Sequence, residues 1–122
     1  GDNSDNQLFG NASVNVIDGR GGTDYMLGFA GADIFQIALE PGAQDVIGDF
    51  SKAEGDRIAF TGFNAATTVV NQASATSFEV RDTMGTASIF DDTVQTFILN
   101  DSYGSGTYTQ GALEFGVDYY FG

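Results

Sequence analysis

Residues 19–36 read GRGGTDYML-GFAGADIFQ, two nonapeptides that correspond at the first, fourth, sixth and eighth places. Each has Gly at the first place (Gly19, Gly28) and at the fourth (Gly22, Gly31). Each has Asp at the sixth (Asp24, Asp33) and a bulky apolar residue at the eighth (Met26, Phe35). Run back to Gly1, the same frame yields GDNSDNQLF and GNASVNVID. The first place is then Gly1, Gly10, Gly19 and Gly28, and the fourth is Ser4, Ser13, Gly22 and Gly31. The sixth is Asn6, Asn15, Asp24 and Asp33, and the eighth is Leu8, Ile17, Met26 and Phe35. A period of this kind is the mark of a stacked repeat architecture.

The columns have a physical reading. Gly at places one and four lets the backbone adopt positive φ and turn its carbonyls toward one point. Six loop residues followed by a three-residue strand make half a turn of a coil, with the eighth side chain inward and its neighbours outward. Two nonapeptides complete a turn, so repeat n stacks on repeat n+2, about 4.8 Å away. Asn6 then lies near Asp24, and Asn15 near Asp33. A column of carboxylates at that spacing repels itself. A hard cation between the loops removes the repulsion, and calcium suits the oxygen-rich setting, with ~6–8 oxygens at about 2.3–2.6 Å.

These residues resemble the RTX (repeats-in-toxin, hemolysin-type) calcium-binding nonapeptide GGxGxDxUx. GRGGTDYML and GFAGADIFQ match it closely. GDNSDNQLF and GNASVNVID are degenerate, with Ser for the second glycine and Asn for Asp. Residues 45–58, DVIGDFSKAEGDRI, look like the segment that closes many RTX β-rolls in serralysin-type proteases and alginate epimerases. Asp45-Val46-Ile47 repeats the unit Asp24-Tyr25-Met26 after a three-residue insertion near Pro41, and so predicts a fifth loop stacked on the third. Asp49 is a further carboxylate candidate there, and Asp56 a weaker one. The candidate metal residues are therefore Asn6, Asn15, Gly19, Gly22, Asp24, Gly28, Gly31, Asp33, Asp45 and Asp49, for two to four Ca2+ ions. The expected fold is all-β: a right-handed parallel β-roll over residues 1–50, capped by β-rich residues 51–122 within one domain. The resemblance implies a secreted bacterial protein, type I secretion, folding on contact with extracellular calcium, and a non-catalytic segment of a longer parent.

Composition agrees with this class. The chain has 122 residues, 42% hydrophobic, with 11 Phe and 5 Tyr, enough for one domain with a real core. Its 17 acidic and 4 basic residues leave a net charge of −13, which disfavours nucleic acid and anionic membranes and favours cations. With no Cys and no His, disulfides, zinc–thiolate sites and the usual general base are excluded. No apolar run is long enough to span a membrane as a helix. Residues 1–10 do not read as a signal peptide.

Beyond about Arg57 the period disappears. Short β-rich runs follow: RIAF (57–60), TTVVN (67–71), TSFEVR (76–81), TASIF (86–90) and TVQTFILN (93–100). SFEVR-DTMG-TASIF reads as a hairpin with Phe78 and Val80 on one side. Residues 110–122 read as a last strand or a short helical turn. Such strands would cap the open end of a solenoid. The N-terminal end has no cap of its own in the sequence, so upstream repeats or a catalytic domain of the parent are expected partners there.

Plainer readings accompany each feature. Met26 and Phe35 are core positions. Asn11-Ala12-Ser13 fits an N-glycosylation pattern inside a loop and is read as coincidence. Asp91-Asp92 is a solvated turn in preference to a catalytic pair, since no nucleophile lies near it in sequence. Tyr103, Tyr108, Tyr119 and Tyr120 default to packing, with a sugar-stacking face as the other option. Two further functions stay open: a calcium-dependent adhesive module that self-associates, and a carbohydrate-binding module.

Overall fold

The computed structural model describes residues 5–38, 44–63, 67–82, 93–101, 107–110, 113–114 and 116–121. Ten strands, and no helix, occur among them. The nonapeptide places seven to nine become β1 (Gln7–Phe9), β2 (Val16–Asp18) and β3 (Tyr25–Leu27), and open β4 (Ile34–Ala38). After these come β5 (Gln44–Ile47), β6 (Arg57–Thr61), β7 (Thr68–Gln72), β8 (Ser77–Asp82), β9 (Thr93–Leu99) and β10 (Tyr119–Phe121).

Odd and even repeats separate into two sheets. One runs β1-β3-β5-β9-β8-β7 and the other β10-β6-β4-β2. Successive odd strands pair in parallel, Leu8 opposite Met26 and Met26 opposite Ile47. Successive even strands do the same, Ile17 opposite Phe35 and Phe35 opposite Ile58. Repeat n therefore pairs with repeat n+2. The three-residue insertion is visible in the spacing of equivalent residues, which grows from 18 to 21 between β3 and β5. In the other sheet it grows from 18 to 23, because the turn at residues 51–55 adds further length.

The eighth-place residues face the space between the sheets. Met26, Phe35, Ile47 and Ile58 are buried in one cluster with Phe60, Phe78, Val80, Phe97 and Leu99. Phe60 of β6 meets Phe97 of β9 at 5.5 Å between ring centroids, which ties one sheet to the other. Each buried Phe of this kind contributes about 2–3 kcal/mol of transfer free energy.

The second half joins the same sheets in two ways. β9 and β10 extend the parallel ladders beside β5 and β6. β8 lies antiparallel between β7 and β9. The expected hairpin between residues 77–81 and TASIF is thus corrected. A strand has two edges, and both edges of β8 are taken by β7 and β9. TASIF itself, the turn at residues 83–85, Asp91-Asp92 and Tyr103 lie outside the described residues. Phe78 and Val80 do share the buried side, and residues 119–121 form a strand. Tyr108 is core, packed edge-on against Phe78. Tyr119 packs edge-on against Phe60.

Candidate metal centre

The loops between strands hold the sixth-place side chains in two columns. In the first, the Asn6 amide donates to Asp24 Oδ1 at 2.8 Å, and the Asp24 amide donates to Asp45 Oδ1 at 2.9 Å. In the second, the Asn15 amide donates to Asp33 Oδ1 and the Asp33 amide to Asp56 Oδ1, both at 2.8 Å. Each carboxylate thus caps the amide of its predecessor one turn back. These charge-assisted bonds offset part of the repulsion between stacked carboxylates without any ion. Asp56 belongs to its column as fully as Asp33. The sequence carried a signal for this, since Asp56-Arg57-Ile58 repeats the unit Asp33-Ile34-Phe35, but the longer spacing hid it.

The second oxygen of these carboxylates is a different matter. Asp33 is fully buried, and its Oδ2 has no hydrogen-bond partner. Burial, outweighing the bond from the Asn15 amide, raises the Asp33 pKa, and Asp49 and Glu54 add like-charge repulsion. A Cβ on Gly28 would fall on this oxygen, well inside van der Waals contact. Gly19 stands in the same relation to Asp24, and Gly10 to Asn15 Oδ1. The first-place glycine is therefore a requirement of space: its missing side chain leaves room for the sixth-place carboxylate of its own loop.

That finding corrects the expected role of the first place. The left-handed backbone occurs at the fourth place, with Gly22 at φ 87° and Gly31 at φ 96°, and at the second place, with Arg20 at 63° and Phe29 at 65°. Gly19 and Gly28 are not among the positive-φ residues. The second place is non-glycine in both loops and accepts the left-handed strain. The degenerate loop 10–15 has no such residue and closes instead on its own amides and side chains. Its Asn11 and Ser13 amides donate to Asn15 Oδ1 and Asn11 Oδ1, each at 2.8 Å.

The segment after β5 meets loop 28–33 with carboxylates. Asp49 accepts the Gly28 amide at 2.9 Å and the Phe29 amide at 2.7 Å. Glu54 accepts the Gly31 amide at 3.1 Å. Both Asp49 oxygens are thereby committed to amides. Asp56 Oδ2 takes the Ser51 amide at 2.9 Å, and burial, the largest influence, pushes the Asp56 pKa up to about 6. Two further acidic residues, not foreseen any more than Glu54, complete the picture. Asp5 Oδ1 accepts the Thr23 amide, and buried Asp118 pairs with Lys52 at 3.1 Å.

The donor set suits a hard cation. A buried carboxylate oxygen with no donor is costly, and an oxygen-seeking ion satisfies it. Among the described residues, no group of three or more acidic side chains converges on one point. Any ion at Asp33 would draw its remaining oxygens from backbone carbonyls and neutral side chains.

No family model matches the sequence, and no curated protein matches it. Among solved structures, the chain is similar to the AlgE6R3 subunit of the mannuronan C5-epimerase from Azotobacter vinelandii, determined in solution. The two share 20% identity at a TM-score of 0.42, over 96% of this chain and 87% of that one.

Proposed function

We propose that this chain is a calcium-binding repeat module of the RTX type, folded as a right-handed parallel β-roll with residues 51–122 as its cap. The observation that carries the reading is Asp33 Oδ2, buried and unpartnered beneath Gly28. Asp24, Asp33 and Asp45 are the carboxylates that would hold the ions. Backbone carbonyls at Gly19, Gly22, Gly28 and Gly31 would complete their shells, with Asn6 and Asn15 as neutral contributors. A bound ion supplies positive charge between stacked loops. Metal binding then adds directly to folding free energy, because the site does not exist in the unfolded chain. The acidic chain would stay soluble while unfolded at low calcium and fold outside a bacterial cell, in support of a larger secreted parent. The segment itself carries no catalytic role in this reading. Isothermal calorimetry with calcium tests it, on the wild type and on Asp33→Asn. Saturable binding weakened at least about tenfold by the substitution supports the reading. Equal binding by both proteins refutes the role of Asp33.

A second reading has its own observation. Phe9, Val14 and Val16 are exposed at 58%, 67% and 62%, on or beside the edge strands β1 and β2. Edge strands with exposed apolar side chains can pair with other strands. A calcium-dependent self-associating module predicts light scattering that rises with calcium and falls when Phe9 and Val16 become Lys.

A further inference from the structure

The outer face of the six-stranded sheet carries a second feature. Outward side chains of β1, β3 and β5 border a cavity of about 300 Å³. Tyr25 and Val46 supply its apolar wall, Asp5, Gln7 and Thr23 supply polar groups, and Asn6 and buried Asp24 of the candidate metal centre lie at its border. The Tyr25 side chain reaches across onto β5. A Cβ on Gly48 would stand 2.6 Å from the Tyr25 hydroxyl and 2.9 Å from its Cζ. Gly48 is thus the bed on which the Tyr25 ring lies.

Two rows cross the strands here. The polar row is tied together from strand to strand. The Thr23 amide donates to Asp5 Oδ1 at 2.8 Å, the Gln44 amide to Thr23 Oγ1 at 3.2 Å, and Gln44 Nε2 to Thr96 Oγ1 at 3.2 Å. Beside it the register aligns Gln7, Tyr25, Val46 and Ile98. Each step along either row is about 4.8 Å, the distance between strands.

We infer that this face binds a linear oligosaccharide of amino sugars. A pyranose ring offers an apolar C–H face to Tyr25 and hydroxyls at its rim to Gln7 and Thr23. A strand step is close to the length of one sugar unit, so successive units meet successive strands. Charge selects the class: Asp5 at the cavity and −13 over the chain attract protonated amines and repel uronates. Asn6 and Asp24 border both this cavity and the candidate metal centre, but Asp5, Gln7 and Tyr25, on which the test turns, are not candidate ligands, so the proposal can fail while the metal reading holds.

The test uses the whole chain in calcium-containing buffer, with a glucosamine tetramer as probe. The comparison probes are an N-acetylglucosamine tetramer, a mannuronate tetramer and a lysine tetrapeptide. The expected result is that the glucosamine tetramer binds at least about tenfold tighter than any of the three. Asp5→Asn and Tyr25→Ala should each weaken it by about fivefold or more, and Tyr25→Phe should not. Circular dichroism checks that Tyr25→Ala remains folded. If it does not, Asp5→Asn and Gln7→Ala, both at exposed positions, decide the matter. Equal binding of the lysine peptide would reduce the effect to net charge and overturn the proposal. So would equal binding of the N-acetylated chain, tighter binding of mannuronate, or indifference to Asp5→Asn.

Discussion

Gly28 and Arg20 show that two adjoining loop places obey different physics. At Gly28 the constraint is volume, because a methyl group would collide with Asp33 Oδ2. Gly28→Ala should therefore cost about 1–3 kcal/mol, the range for overpacking a rigid site. Gly116 is the control: its φ is 83°, with nothing within 4 Å of an added Cβ. Gly116→Ala carries only the left-handed penalty of about 1–2 kcal/mol and should leave calcium affinity unchanged, whereas Gly28→Ala should weaken it. Urea unfolding with and without calcium measures both. At Arg20 the constraint is conformation. Its φ of 63° and exposed side chain predict that Arg20→Gly raises stability by about 0.5–1 kcal/mol, the relief of strain exceeding the added freedom of the unfolded chain. A lower urea midpoint for Arg20→Gly would contradict this.

At the scale of elements, one buried charge adds to the β6 ladder and the Phe60 ring contacts that hold β10. Asp118 is 4% exposed, pairs with Lys52, and accepts the Glu114 amide at 2.8 Å. Removing Lys52 leaves that carboxylate without its counter-charge. Lys52→Ala should cost about 1–3 kcal/mol, and hydrogen exchange should quicken first at residues 119–121. Uniform exchange through all strands would argue against a local fastening. The elements also mark how far the sequence could be read. β1 to β5 were legible, because a repeated unit sets both where strands fall and which side chain turns inward, whereas β6 was legible only as the β-rich run RIAF, without its partner β4. Even the three-residue insertion was legible, since Asp45-Val46-Ile47 repeats its unit intact. The partners of β8 were not. β9 returns to β5 across 52 residues, from Gln44 to Thr96, and nothing local in TVQTFIL specifies that parallel partner. In the candidate metal centre, the acid and glycine positions could be read from the period. The amide that each carboxylate caps could not, because it depends on which of two oxygens faces the loop one turn back. Lys52–Asp118 gave no signal because neither residue belongs to the period.

For the whole molecule, the balance of charge decides when the fold is stable. Burial raises the Asp56 pKa from its ordinary 3.8 to about 6, and raises that of Asp33 in the same direction. The folded chain therefore holds these protons more tightly than the unfolded chain. The stability they provide is complete below about 3.8 and is lost as pH rises through about 6. Asp101 acts oppositely: burial raises its pKa, but bonds from Gln110 and Thr109 outweigh this and lower it. Its effect falls below pH 3.8 and does not offset the others. In chelator, thermal unfolding should accordingly show a more stable protein at pH 4.5 than at pH 7, and a flat profile would count against buried acids as the source of instability. Self-repulsion at a charge of −13 acts in the same sense. Calcium should reverse the preference by neutralising Asp33 and its fellow ligands Asp24 and Asp45 at neutral pH. The most direct measurement is a calcium titration at pH 7 followed by circular dichroism, on the wild type and Asp33→Asn, with magnesium as control. The account predicts a cooperative gain of β signal for the wild type near 10⁻⁴–10⁻³ M calcium, reversed by chelator, absent with magnesium and displaced to higher calcium in Asp33→Asn. A chain fully folded in chelator that binds no calcium, or one whose transition is unmoved by Asp33→Asn, would contradict it.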